Sequence, residues 1–206
     1  MAGSNFPLPS RQAGFTLIET LLAITLLSGV AIGLFYFFTN AMMHTSYNQG
    51  RTVAVNVARG VAVYFEKNAD FSRLKEYMED HQTPFLELTK DDCGNESLAA
   101  LFFPGESGQL HTVCEAQFAP KINNVRYEAS VYLVRYDKEA WDAFTSSSEF
   151  ASLPAPLQAR IRAETEKAAE SNAGGYMIKL YTSVRWDERT NETAWVEGVI
   201  TDETIR

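Results

Sequence analysis

The stretch GFTLIETLLAITLLSGVAIGLFYFF, residues 14–38, decides the fold. From Phe15 to Phe38 it runs for 24 residues with Glu19 as its one formal charge. As a helix these residues span about 36 Å, more than a hydrocarbon core of about 30 Å. A secretory signal carries an apolar region of only about 7–15 residues before a small-residue cleavage site, and Thr39-Asn40-Ala41 is a poor substitute for that site. The run therefore predicts a membrane-spanning helix. Arg11 and the amino terminus are the only positive charges ahead of it, and the next basic residue is Arg51. That distribution favours the N-terminus inside and the bulk of the chain outside. Glu19 is the anomaly. A carboxylate in lipid costs roughly 2.5–3.5 kcal/mol on insertion scales and is retained where it has a partner.

Composition narrows the rest. The 206 residues suffice for one compact domain with an appendage. Net charge is −8; without residues 1–14, which contain only Arg11, 17 basic residues face 26 acidic ones, a balance of −9. No nucleic-acid partner is expected, because such binding needs clustered Lys and Arg. Cys93 and Cys114 have no CxxC spacing and are too few for a disulfide scaffold. If the domain lies outside the cytoplasm they form one bridge, worth about 3 kcal/mol in the chain-entropy model. The alternative is two unrelated buried thiols.

A short polar leader ending in Gly14, then Phe15-Thr16-Leu17-Ile18-Glu19 and a long apolar helix, resembles the prepilin signal of type IV pilins and of type II secretion pseudopilins. The resemblance covers the first 25 to 30 residues. It implies a leader over residues 1–14, cut by prepilin peptidase between Gly14 and Phe15, with N-methylation of Phe15. It also implies that Glu19 neutralises the new amino group of Phe15, its own or a neighbouring subunit's, and so sets assembly register. The competing reading is a plain anchor whose Glu19 snorkels to the interface. Two features depart from the family pattern: Ala13 and Gln12 separate Arg11 from Gly14, and no proline interrupts the chain between Pro9 and Pro84. Gly29 and Gly33 are the only weak points of the span, each costing about 1 kcal/mol against Ala.

Beyond the span, Val53, Val57, Val61 and Tyr64/Phe65 recur at helical spacing, with Ala54, Ala58 and Ala62 alongside. We read residues 39–80 as an amphipathic continuation of the helix, ending between Lys67 and Asp80. From Ser97 the period changes. Val125 to Leu133 and Tyr176 to Trp186 alternate as half-buried strands, the second joined through Asp187 to Thr193 to a strand over Ala194 to Ile200. A further strand is expected from Leu110 to Phe118. The expected fold class is α+β, the type IV pilin fold, with a long N-terminal helix on a small antiparallel sheet. Residues 81–206 form the extracytoplasmic head, with a helical insertion at 138–174. Lys138 to Phe144 and Leu157 to Ala169 read as its helices. This insertion is either a specificity module facing a partner or a solvated crossover covering one sheet face through Trp141 and Phe144, and its charged faces favour the second.

Other chemistry is weakly signalled. Ser72-Arg73-Leu74-Lys75 fits S-x-x-K, but no K-T-G follows. His44, His81 and His111 lack ligand spacing, and Asp91 to Glu96 lacks the full pattern of a calcium loop. No catalytic residue, metal or cofactor is expected, and no enzyme. The expected protein is a minor pilin or pseudopilin of the inner membrane and then of a pilus or pseudopilus filament. Its expected partners are prepilin peptidase, other pilin subunits, the inner-membrane assembly platform and membrane lipid. The strand ending Val184-Arg185-Trp186-Asp187 loosely resembles the final strands of minor pilins of the PilV type and of the I-type pseudopilin. Two rivals share the sequence: a membrane-tethered enzyme or receptor with an incidental Glu19, and a tip adhesin or DNA-uptake subunit.

Overall fold

The computed structural model describes residues 14–103, 107–169, 175–187 and 192–202; all of the expected leader over 1–14 except Gly14 lies outside them. The chain divides into two compact units, Met1–Tyr47 and Asn48–Arg206. Helix α1 (Leu17–Asn68) begins in the first and ends in the second. It stops at Asn68 because Asp70 is extended and caps the next helix, α2 (Phe71–Asp80), its carboxylate accepting the Arg73 N–H at 3.1 Å. The head thus has a long helix packed on a small antiparallel sheet, as expected.

The sheet holds β1 (Phe85–Leu88), β4 (Glu128–Arg135), β5 (Met177–Asp187) and β6 (Glu192–Thr201), antiparallel throughout in the order β1-β4-β5-β6. A separate ribbon pairs β2 (Lys121–Ile122) with β3 (Val125–Arg126). Its turn residues, Asn123 and Asn124, have φ of 51° and 65°, the left-handed geometry of a tight hairpin that Asn tolerates. The strand expected over Val125 to Leu133 is therefore two strands, divided where the Tyr127 N–H turns to the Pro120 carbonyl at 3.0 Å.

The second unit packs helices on both faces of this sheet. On one face Ala129, Val131, Leu133, Ile178, Leu180 and Val184 share a core with Ala54, Ala58, Val61, Ala62 and Phe65 of α1. The alanines, rather than Val53 and Val57, lie deepest, because a small side chain lets helix and sheet approach closely. Phe65 completes the contact within an aromatic cluster of Phe102, Phe103 and Phe118. Trp186, the extra residue of a bulge in β5, lies over Gly50, where a Cβ would come within 2.8 Å of its Nε1. On the opposite face Tyr132, Val134, Tyr136 and Tyr181 pack under α5 (Lys138–Thr145), α6 (Ser148–Ser152) and α7 (Ala155–Ala169). Trp141 and Phe144 are fully buried there, and Asp137 caps α5. The insertion thus supplies the cover of a sheet face.

One strand expectation fails. Residues from Leu110 to Phe118 belong to helix α4 (Ser107–Phe118), and Ser97 lies in the short helix α3 (Glu96–Ala99). The buried residues Leu110, Cys114 and Phe118 are spaced by four, the period of one helix face and not of a strand. At the free edge of the sheet, the Val199 N–H donates to Glu66 Oε1 at 3.0 Å, so the end of α1 satisfies one edge donor. Gly198 permits this, since a Cβ there would lie 2.4 Å from the same oxygen.

Candidate functional site at the start of the apolar helix

Gly14, Phe15 and Thr16 precede the first turn of α1, and Glu19 lies inside that turn. The Glu19 and Thr20 N–H groups both donate to the Thr16 carbonyl, at 3.1 and 3.2 Å. The Thr16 hydroxyl donates to Glu19 Oε2 at 3.5 Å. Thr16 to Glu19 has the spacing of a capping box, but here the hydroxyl donates to the carboxylate instead of accepting from the backbone. The result turns the carboxylate back towards the residues that precede the helix. Thr16 is the residue that our reading of the sequence missed, and its T-x-x-E spacing was the available signal.

Electrostatics give this placement meaning. The first turn of a helix is the positive end of its dipole, favourable to a carboxylate by about 0.3–1 kcal/mol and unfavourable to a cation. An amino group freed at Phe15 would sit one residue from that positive end, and Glu19 is the described acidic residue placed within the turn.

From Phe15 to Phe38 the chain is mainly apolar and exposed. Phe15 is 83% exposed, Leu17 81% and Phe35 75%. The most apolar window of α1 has a mean hydropathy of 2.3, and the helix is long enough to cross a bilayer. Three of its threonine hydroxyls bond back to the helix: Thr20 donates to the Leu17 carbonyl at 2.8 Å, Thr25 to Leu22 at 2.9 Å and Thr39 to Phe35 at 2.8 Å. Hydrocarbon demands this of every polar group it surrounds.

In the head, Cys93 and Cys114 are joined by a disulfide with Cα atoms 5.6 Å apart, and both cysteines are buried. It ties α4 to a 3₁₀ turn, Lys90–Gly94. Within the acidic run, Asp92 is committed to the cap of that turn, accepting from the Thr89 N–H at 2.8 Å and from its hydroxyl at 3.0 Å. Among the described residues no three His, Cys, Asp or Glu side chains are grouped to hold a metal. His44 is exposed on α1, His81 stacks on Tyr77 at the end of α2, and His111 pairs with Glu115 on α4.

Compared with known families, residues 9–35 match the prokaryotic N-terminal methylation motif. The match covers Gly14, Phe15, Thr16 and Glu19 and all but the last three residues of the apolar span, and over that stretch the chain is consistent with a type IV pilin-like protein. Such a motif implies processing by prepilin peptidase and assembly with other pilins, which suggests a structural subunit. The apolar helix and the motif together fit a membrane-anchored pilin. Neither a curated protein nor a solved structure matches the chain.

Proposed function

We propose that this pilin-like precursor is a minor pilin or pseudopilin, cut between Gly14 and Phe15 and methylated on Phe15. The helix from Phe15 to Phe38 holds the subunit in the inner membrane, with residues 81–206 on the outer side, and then joins a filament core. The Cys93–Cys114 bond supports that side, since disulfides persist in oxidising compartments. The minor assignment rests on the uninterrupted helix, which carries no proline, and on the helical insertion.

The observation that carries the reading is Glu19 in the first turn of a helix whose apolar start is exposed, just downstream of Gly14-Phe15. Unpaired, it is costly in lipid. Paired with the ammonium of Phe15, its own or a neighbour's, it becomes a register key, because opposite charges attract strongly in a low-dielectric medium and an unmatched one is penalised. A subunit leaving the bilayer gains most where its carboxylate meets an amine. Mass spectrometry of the mature N-terminus tests the first step. An N-terminus at methylated Phe15 is expected; retained Met1, or an end near Ala41, would favour a tethered protein with an incidental Glu19.

A further inference from the structure

The insertion covers only part of its sheet face. Past Tyr132 and Tyr181 the same face continues as Ser130 and Ser183, which are register partners, and then as Glu128 and Arg185, also partners. These residues floor an open cleft of about 460 Å³. One wall is Thr89 to Asp91 beside the disulfide-tied turn, and the other is Ser152 to Pro154 between α6 and α7. Two parts of the head distant in sequence therefore build one concavity, of a size that suits small ligands.

Its chemistry excludes several occupants. Both floor strands are interior to the sheet, with β4 between β1 and β5 and β5 between β4 and β6, so no peptide can add to them as a strand. The surface is mainly polar, which disfavours an apolar ligand. Glu87, Asp91 and Glu128 outnumber Lys90 and Arg185, which disfavours a polyanion.

What remains is an interleaved set of donors and acceptors. Glu128 accepts from Lys90 Nζ at 3.0 Å and from Arg185 Nη2 at 2.9 Å. These bonds, Arg185's first, hold the Glu128 carboxyl below its ordinary range. Each cation keeps further N–H groups. Burial, and then the Glu87 charge, push the Tyr132 hydroxyl above its ordinary range, so it stays a donor, while Glu87 and the hydroxyls of Ser130 and Ser152 add acceptors to the same lining. Asp91 is exposed on the rim. Spare donors lie beside spare acceptors, and a hydroxyl, which donates and accepts at once, satisfies both.

We propose that this cleft binds a neutral, hydroxyl-rich ligand, a mono- or disaccharide. The site stands whether or not the chain is cut at Gly14, so failure of either reading leaves the other intact.

The test titrates detergent-solubilised, ¹⁵N-labelled full-length protein with glucose, galactose, N-acetylglucosamine, lactose and cellobiose, following the amides of Ser130, Ser183 and Arg185. At least one sugar is expected to give saturable shifts confined to the cleft and unchanged by added salt. Asp91→Asn, on the exposed rim, should weaken that binding about fivefold, as the loss of one hydrogen bond does. Ser130→Tyr should fill the floor and abolish it. The proposal is overturned if no cleft amide moves at about 50 mM of any sugar, far above a millimolar affinity. It is equally overturned if acetate or betaine, and not the sugars, shifts these amides in a salt-dependent way, or if both variants bind sugar like the parent.

Discussion

The two units of this chain treat the same kind of side chain in opposite ways. In the first, Phe35 and Leu17 lie on one helix and are covered by nothing in their own chain; in the second, Phe65, Phe144 and Trp141 have no exposed surface at all. Apolar composition alone does not separate them. Periodicity does: residues 15–38 are apolar on every side of the helix, whereas Val53 to Phe65 are apolar on one stripe. A helix apolar all round needs lipid or other helices as its solvent, while a striped one needs only a sheet.

Substitutions can break this contrast. The largest effect is expected from Glu19→Val, which removes the one formal charge of residues 15–38. Membrane insertion and cleavage should persist while incorporation into filaments is lost, as read by immunoblot of sheared filaments against membranes. Full incorporation would remove the register mechanism. In the head, Trp141→Ala should cost about 3–5 kcal/mol of unfolding free energy by emptying a fully buried site, measured by urea denaturation. Reduction of Cys93–Cys114 should cost about 3 kcal/mol in the same assay.

Glycines sharpen the contrast further. A Cβ at Gly50 would collide with Trp186, whereas one at Gly60, on the same helix, meets nothing within 4 Å. Gly60→Ala should therefore stabilise the head by about 0.5–1 kcal/mol. In Gly50→Ala the same helical gain is outweighed by overlap costing about 1–3 kcal/mol, so the two variants should shift the melting temperature in opposite directions. Gly33→Ala, open on all sides within its own chain, should leave head unfolding unchanged.

The smallest effect is electrostatic. Glu128 and Glu197 are held below the ordinary carboxylate range, by Arg185 and then Lys90 in the first case and chiefly by Arg160 in the second. A carboxyl whose folded pKa is depressed contributes stability that is present above its unfolded pKa of about 4.3 and lost as pH falls through the folded value. The head should therefore lose stability on acidification below about pH 4, by amounts near the ~0.2–1 kcal/mol of exposed pairs and smaller in high salt. Glu128→Gln should flatten that limb. Glu87 works in the opposite sense: burial raises its carboxyl, with Glu149 and Asp92 adding to the effect, so it partly offsets the loss.

Much of this was legible before any coordinates. The apolar span, the striped continuation of α1, the strand over Tyr176 to Trp186 and the two longer insertion helices are all local patterns, and the chain expresses them where they are written. The residues from Leu110 to Phe118 were misread because a short amphipathic run is ambiguous between helix and strand until something pins one face. Here the bond from Cys114 to Cys93 and the burial of Leu110 and Phe118 do so.

By itself, then, the sequence determined the long apolar helix and its acidic first turn, since both depend on residues a few positions apart. Only the tertiary structure decided which face of the sheet the insertion covers, where that cover ends, and that Lys90, Glu128 and Arg185 meet in the lining of one cleft. Those groups lie 38 and 57 residues apart along the chain. No local preference links such distant positions; strand register and the packing of two opposed helical layers bring them together.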